Sequence, residues 1–114
     1  MAESLINISG ERETLANGVD IIRQGNLRTL QIYTATYGTL SSIVLPKKDW
    51  PTHAITCFCL KHYNGSYGAM AVFYISTSGQ IYGGTYWNAY HGSASGTSIV
   101  PADHIIGEVT WSIV

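Results

Sequence analysis

Turn signals recur along this chain at intervals of about 8–12 residues, a spacing typical of β-sandwiches and β-barrels. They combine glycine with asparagine, glutamine or serine, as in Asn17-Gly18, Gln24-Gly25-Asn26, Asn64-Gly65-Ser66 and Ser78-Gly79. Such residues favour turns because they tolerate backbone conformations that other residues resist. No convincing helical pattern follows residue 18. The sequence therefore predicts an all-β protein, either a compact antiparallel β-barrel or a jelly-roll-like sandwich, with a short N-terminal arm.

The predicted domain organisation is simple, because 114 residues are enough for one domain and too few for two. Residues 1–18 are polar and weakly periodic, and we interpret them as an N-terminal arm with a short helix or an extended segment at residues 9–16. Residues 19–114 form the predicted barrel or sandwich. The first residues lack the charged and apolar regions of a signal peptide, so synthesis in a cytoplasm is expected.

The predicted strands differ in how many of their faces are apolar. They cover residues 19–23, 27–34, 39–45, 53–62, 68–76, 80–82 and 105–114. Residues 105–114 alternate cleanly and place Trp111 on the apolar face, which indicates a half-buried strand. Residues 68–76 are apolar on both faces, which predicts cover by the opposite sheet on one side and by another subunit on the other.

The composition limits the classes of partner that the chain is expected to bind. Charged residues make up 11% of the chain, against about 25% in an ordinary domain, which favours a surface partly covered by sister subunits. The net charge is −1 and Lys47-Lys48 is the longest basic run, so a nucleic acid partner is not expected. No apolar run approaches the roughly 18 residues of a membrane span, so no membrane insertion is expected.

Residue patterns for catalysis or metal binding are weak. His53, Cys57, Cys59 and His62 resemble a metal quartet by type, but a straight strand would hold His53 and Cys59 about 20 Å apart. Cys57 and Cys59 are therefore interpreted as buried free thiols. There is no Gly-x-Ser-x-Gly elbow, and Asp103-His104 would face opposite ways on a strand. We expect neither an enzyme nor a cofactor.

Residues 81–92 carry the strongest binding signal, with four aromatic rings, an amide and a histidine between glycines at both ends. A Tyr or Trp ring can stack on the C–H face of a sugar, while an amide or imidazole can bond its hydroxyls. The candidate ligand-binding residues are Tyr86, Trp87, Asn88, Tyr90 and His91, with Tyr63 on a neighbouring hairpin. The alternative interpretation is an aromatic strand pair that packs inside a barrel.

Several segments resemble a known family. Residues 19–30 (Val-Asp-Ile-Ile-Arg-Gln-Gly-Asn-Leu-Arg-Thr-Leu) resemble the opening hairpin of phage receptor-binding heads, in which an Arg-x-Gly-Asn turn joins two strands. Val44-Leu45-Pro46 followed by Trp50-Pro51 is similar to their leucine-proline loop, and residues 78–82 resemble their late Gly-x-Ile hairpin. With a closing strand at residues 107–114, the resemblance extends over residues 19–114 in order and spacing.

The resemblance implies a head domain at the tail-fibre or baseplate tip of a tailed phage. Such heads are homotrimers that bind saccharides of the bacterial surface for adsorption. Residues 1–18 would then be an arm or neck remnant that contacts other tail proteins, and the protein would reside in the virion after synthesis in the host cytoplasm. Two alternatives stay open: a structural trimerisation cap of a fibre with no ligand, and a non-viral lectin-like module.

Overall fold

The computed structural model describes residues 10–63, 66–88 and 97–114, and it confirms the all-β class. Its strands are β1 Glu11–Ala16, β2 Val19–Gln24, β3 Leu27–Thr36, β4 Ile55–Tyr63, β5 Ser66–Ile75, β6 Ile81–Asn88, β7 Thr97–Ser98 and β8 His104–Ser112. One short helix, α1 Tyr37–Ser41, and a 3-10 turn, Lys47–Asp49, lie in the connection between β3 and β4.

All eight strands belong to one antiparallel sheet with the order β1-β2-β3-β8-β4-β5-β6-β7. The last strand therefore lies in the middle of the sheet, between two groups of strands. β8 pairs with β3 over most of its length but with β4 only at Leu60↔Ile106 and Lys61↔Ile105. The sheet thus narrows to a short seam between β8 and β4.

The core lies against the inner face of the sheet, as in a barrel-like or sandwich fold. Its buried side chains include Val19, Ile21, Leu30, Ile32, Cys57, Ala71, Phe73, Ile75, Ile105 and Trp111. Strands from both sides of the seam contribute to this one cluster, so the two groups of strands share a single core. The alternation predicted for residues 105–114 is confirmed, because Ile105 and Trp111 are buried while Glu108 and Thr110 are exposed.

Of the helix and the extended segment left open for residues 9–16, the structure has an extended strand at residues 11–16. These residues form β1, which pairs with β2 from Glu11↔Arg23 to Ala16↔Val19 and extends the sheet. The Asn17-Gly18 turn joins the two strands, and an added Cβ at Gly18 would fall 2.0 Å from the Thr34 carbonyl oxygen. The polar side chains of β1 gave no alternation from which a strand could be predicted, because an edge strand needs few apolar side chains. The first nine residues lie outside the described part of the chain.

The strand predicted over residues 39–45 is wrong, because the chain forms α1 there. Thr36 caps the helix: its hydroxyl accepts a hydrogen bond from the Thr39 amide at 3.2 Å. A threonine cap satisfies an amide that would otherwise lack a partner at the helix start. Leu40, Ile43 and Leu45 are then buried in the core. Local capping thus overrode the apolar, β-branched character of this segment.

An ion-pair cluster fixes the connection that follows. Asp49 is fully buried, and Trp111 donates from Nε1 to its backbone oxygen at 2.9 Å. Its carboxylate accepts hydrogen bonds from Arg23 and Arg28. Trp50 packs against the core and donates from Nε1 to the Leu45 oxygen at 2.8 Å. Trp50 is therefore partly buried against the core rather than fully exposed to solvent.

The two cysteines are free and buried in β4, as the sequence predicts. Burial raises the pKa of Cys57 to about 12 and that of Cys59 to about 11. Cys59 also marks the closest approach of β8. An added Cβ at Gly107 would lie 2.8 Å from the Cys59 sulfur, so a side chain at position 107 would push the seam apart.

Candidate functional site

A bulge in β6 decides which aromatic side chains face the core. Between the pairs Val72↔Thr85 and Tyr74↔Tyr82, β5 has one residue and β6 has two, Gly83 and Gly84. Gly83 has φ 74°, a conformation that glycine adopts without strain, and an added Cβ would meet the Tyr74 ring at 2.8 Å. The extra residue leaves Tyr82 exposed and turns Tyr86 toward the core.

Tyr86 takes part in a small polar cluster, which we call the Lys61 cluster and define as Lys61, Tyr86 and Asp103. The Lys61 ammonium lies 4.3 Å from the centre of the Tyr86 ring and 3.3 Å from Asp103 Oδ1. The same ammonium donates a hydrogen bond to the His62 backbone oxygen at 2.8 Å. The ammonium thus makes a cation–π contact with the ring and an ion pair with the carboxylate, and both contacts are favourable.

Burial differs among the three side chains of the Lys61 cluster. Lys61 is 4% exposed, whereas the Asp103 side chain is 19% exposed and Tyr86 is half-buried. Asp103 is further held by the Val100 amide, which donates to Oδ2 at 3.0 Å. The buried Lys61 therefore orients Asp103 and Tyr86, and these two side chains remain partly exposed, so that a ligand can reach them.

The predicted binding residues can be placed only in part. Trp87 and Asn88 lie in β6, paired with Met70 and Ala69, and Tyr63 ends β4 opposite Ser66. Because Lys61 and Asn88 both pair with Ala69, the ends of β4 and β6 lie at the same level on either side of β5. The side chains of Tyr63, Trp87 and Asn88 lie outside the described part of the structure. Tyr90 and His91 lie outside the described residues altogether.

A second feature is an exposed apolar surface on the opposite side of the sheet, to which the second apolar face predicted for residues 68–76 contributes Met70. We call it the outer apolar face and define it by six side chains: Phe58, Leu60, Met70, Tyr74, Tyr82 and Ile106. A groove of about 330 Å³ runs through it, lined by Phe58, Cys59, Leu60, Met70, Ile106 and Gly107. Tyr74 and Tyr82 lie with ring centres 5.5 Å apart. The signal for this face in the sequence was residues 68–76, which have apolar side chains on both faces of the strand.

A polar hollow of about 240 Å³ adjoins the groove and shares Ile106 and Gly107 with it. Gln31 donates from Nε2 to Glu108 Oε1 at 3.1 Å, and the Tyr33 hydroxyl donates to Asp20 Oδ1 at 3.1 Å. The hydrogen bond from Arg12 lowers the pKa of Asp20, which keeps this carboxylate charged. Glu108 thus places a charge in the hollow beside the groove, and Arg12 and Asp20 place further charges on β1 and β2.

Within residues 10–63, 66–88 and 97–114, no three His, Cys, Asp or Glu side chains lie close enough together to hold a metal ion. The same part of the chain contains no helix that is long and apolar enough to cross a membrane. No protein-family model, no curated protein and no solved structure matches the chain. The fold defines the chain as an all-β domain, and its resemblance to phage receptor-binding heads stays a prediction.

Proposed function

We propose that this chain is the receptor-binding head domain of a tailed-phage tail fibre or baseplate, which binds saccharides on the host bacterial surface. The observation that supports this function is the Lys61 cluster, which joins an aromatic ring to a carboxylate where β4 and β6 end. Of the residues predicted to bind a ligand, Tyr86 belongs to this cluster, whereas Trp87 pairs with Met70 of the outer apolar face. The proposed site of action is the tail tip of the virion.

The chemistry of the Lys61 cluster suits a sugar. Lys61 lies over one face of the half-buried Tyr86 ring, so in the proposed complex the C–H patch of a pyranose stacks on the other face, and Asp103 accepts hydrogen bonds from its hydroxyls. Lys61 is already bonded to Asp103 and to the His62 oxygen, so it serves to hold these groups in place. A preorganised site loses less conformational entropy when a ligand binds.

The charge of the site favours a neutral or weakly charged saccharide. Lys61 and Asp103 form an ion pair, so their charges offset one another locally. The whole chain carries a net charge of −1, which gives little attraction for polyanions. Affinity would then depend on stacking and hydrogen bonds rather than on counterion release, and adsorption should change little with salt.

Adsorption of labelled protein to a panel of bacterial cells, with polysaccharide extracts as competitors, tests the proposal. We expect binding to some strains and competition by the extract of the bound strain. The Trp87→Ala variant should bind at least ten-fold less while keeping its melting temperature and mass. A well-folded protein that adsorbs to no strain would contradict receptor binding and favour the structural cap. Lost binding together with lost stability would remove Trp87 from the site.

A further inference from the structure

We infer that the polar hollow between β3 and β8 is a second binding site, which takes a single sugar unit and prefers a protonated amino sugar. The hollow has a volume of about 240 Å³ and is lined by Gln31, Ile32, Tyr33, Ile106, Gly107 and Glu108. Pockets that enclose drug-sized ligands measure about 300–1,000 Å³, so this hollow suits one small ring. The inference rests on the proposed function only for the class of ligand.

A bulge in β3 opens the hollow. β3 has two residues, Tyr33 and Thr34, where β8 has only Ile106. Ile106 pairs instead with Leu60 of β4, so the ladder between β3 and β8 is interrupted at this point. Bulges are common next to active sites, where they redirect a side chain. Tyr33 lies at the interruption and is 49% exposed, so its ring is accessible to a ligand.

A buried carboxylate holds the Tyr33 ring in place. The Tyr33 hydroxyl donates to Asp20 Oδ1 at 3.1 Å, and Asp20 is only 5% exposed. Arg12 and Thr14 donate to the same carboxylate, each at 2.9 Å, so Asp20 is itself fixed. A ring whose hydroxyl is already bonded loses little conformational freedom when the C–H face of a sugar stacks on it.

Gln31 and Glu108 supply the hydrogen-bonding part of the rim. They are paired across the β3–β8 ladder, and Gln31 donates from Nε2 to Glu108 Oε1 at 3.1 Å. Arg12 donates to Gln31 Oε1 at 2.6 Å, which fixes the direction of the amide. A carboxylate can accept about four hydrogen bonds, so the exposed Glu108 retains capacity for a hydroxyl or an ammonium group. The hollow thus combines a stacking face with an oriented acceptor.

The charges around the hollow favour an amino sugar over an acidic one. Asp20 and Glu108 each carry one negative charge, and Arg12 carries one positive charge that pairs with Asp20 at 2.9 Å. The sum is one negative charge, and it lies at Glu108 on the rim. A protonated amine can form a charge-assisted hydrogen bond with Glu108, whereas the carboxylate of a uronic acid would be repelled.

The hollow and the Lys61 cluster are separate sites. Lys61 pairs with Ile105, whose side chain is buried in the core, whereas the next residue, Ile106, lines the hollow. Consecutive side chains of a strand point to opposite faces of the sheet. Ligands at the two sites should therefore perturb different sets of backbone amides.

Backbone-amide NMR of the isotope-labelled full chain tests the inference, with glucosamine, glucose and glucuronic acid as probes at neutral pH. The three probes share a pyranose ring and differ in charge. Glucosamine should shift the amides of Gln31, Tyr33 and Glu108, with a dissociation constant in the millimolar range. Glucose should bind about three- to ten-fold more weakly, because exposed ion pairs contribute modestly, and glucuronic acid should bind more weakly still.

Two variants and a matched control assign the binding to the hollow. Tyr33→Ala should weaken glucosamine binding about ten-fold, since it removes the stacking face. Tyr82→Ala is the control, because Tyr82 is 47% exposed, close to the 49% of Tyr33, but lies on β6 outside the hollow. Glu108→Gln should bind glucosamine and glucose equally, because it keeps the shape of the rim and removes its charge.

Three results would overturn the inference: hollow amides that no probe shifts, glucosamine that binds no more tightly than glucose or glucuronic acid, or equal binding by Tyr33→Ala and Tyr82→Ala. The inference and the proposed function can fail separately. Shifts around Lys61 and Asp103 alone would contradict the second site and support the Lys61 cluster. Shifts at the hollow of a protein that adsorbs to no bacterial strain would support the second site and contradict receptor binding.

Discussion

Arg23 and Asp49 form a two-point ion pair inside the fold, although they lie 26 positions apart. The guanidinium donates from Nε and Nη2 to the two carboxylate oxygens, each at 2.7 Å. Arg28 adds a third hydrogen bond from its Nε to Asp49 Oδ1, also at 2.7 Å. This arrangement joins the β2–β3 hairpin to the connection that leads into β4, and no buried side-chain nitrogen or oxygen among the described residues lacks a partner.

Substitution of Asp49 by Asn should lower the free energy of unfolding by about 3–5 kcal/mol, because it removes the buried counter-charge that Arg23 and Arg28 share and leaves Arg28 without its carboxylate partner. Urea unfolding followed by tryptophan fluorescence measures this change. Glu13→Gln is the control: Glu13 also pairs with Arg23, at 2.8 Å, but its side chain is 48% exposed. Its loss should cost about 1 kcal/mol or less. Equal effects of the two substitutions would contradict the structural role of the buried pair.

Stability should fall in acid as Asp49 becomes protonated. Burial raises the pKa of Asp49, but hydrogen bonds from Arg23 and Arg28 outweigh it and hold the pKa below its ordinary value of 3.8. A carboxylate with a lowered folded-state pKa stabilises the fold fully above its unfolded value and loses that contribution as pH falls through the folded value.

Unfolding free energy measured from pH 6 down to about pH 2 should therefore decline below about pH 4. Asp20 contributes in the same direction, since the hydrogen bond from Arg12 lowers its pKa. The Asp49→Asn variant should show a shallower decline than the parent. A parent protein whose stability is flat across this range would contradict the assigned ion pairs.

Trp111→Ala should destabilise the fold by about 3–5 kcal/mol, since the ring is buried in the core and its indole nitrogen bonds the Asp49 oxygen. Trp111→Phe keeps most of the packing and removes the hydrogen bond, so about 1–3 kcal/mol is expected. Calorimetry of both variants measures the two contributions. A Trp111→Ala variant that melts like the parent would show that β8 is not held as described.

The cysteines should resist thiol reagents in the folded protein at pH 8. Their pKa values of about 12 and about 11 keep both thiols protonated, and the thiolate is the reactive form. Ellman's reagent should count two thiols after unfolding without reductant. Rapid labelling of either cysteine in the native state, or fewer than two after unfolding, would contradict their burial as free thiols.

Sequence reasoning was most successful where the alternation of apolar residues was strong. The strand that carries Trp111 was predicted with the correct inner face, because a period of two leaves little choice of register, whereas the two apolar faces of the strand that carries Phe73 left its inner face open. It failed at α1, where the Thr36 cap decides the local structure, and it left a helix or an extended segment open at β1, whose polar side chains give no apolar signal. The periodicity of apolar residues indicates which side chains are buried, and neither a helix cap nor an edge strand depends on such burial.

The candidate site was predictable in composition but not in geometry. The Gly83-Gly84 bulge turns Tyr86 toward the core, and alternation alone gives no means of placing such an extra residue. Lys61 was not singled out, because a lysine in an apolar strand is normally expected to point to solvent. Its partner Asp103 lies 42 positions away in the sequence, so the pair follows from the placement of β8 beside β4.

The most direct test of receptor binding is the affinity of two Tyr86 variants for the polysaccharide that competes with adsorption. Tyr86→Phe keeps the ring next to Lys61, and Tyr86→Leu fills similar core space without a ring. We predict that Tyr86→Phe binds within about three-fold of the parent and that Tyr86→Leu binds at least ten-fold more weakly, since stacking needs an aromatic face. Melting temperatures confirm that both variants are folded. Equal binding by folded Tyr86→Leu and parent protein would contradict a saccharide site at the Lys61 cluster.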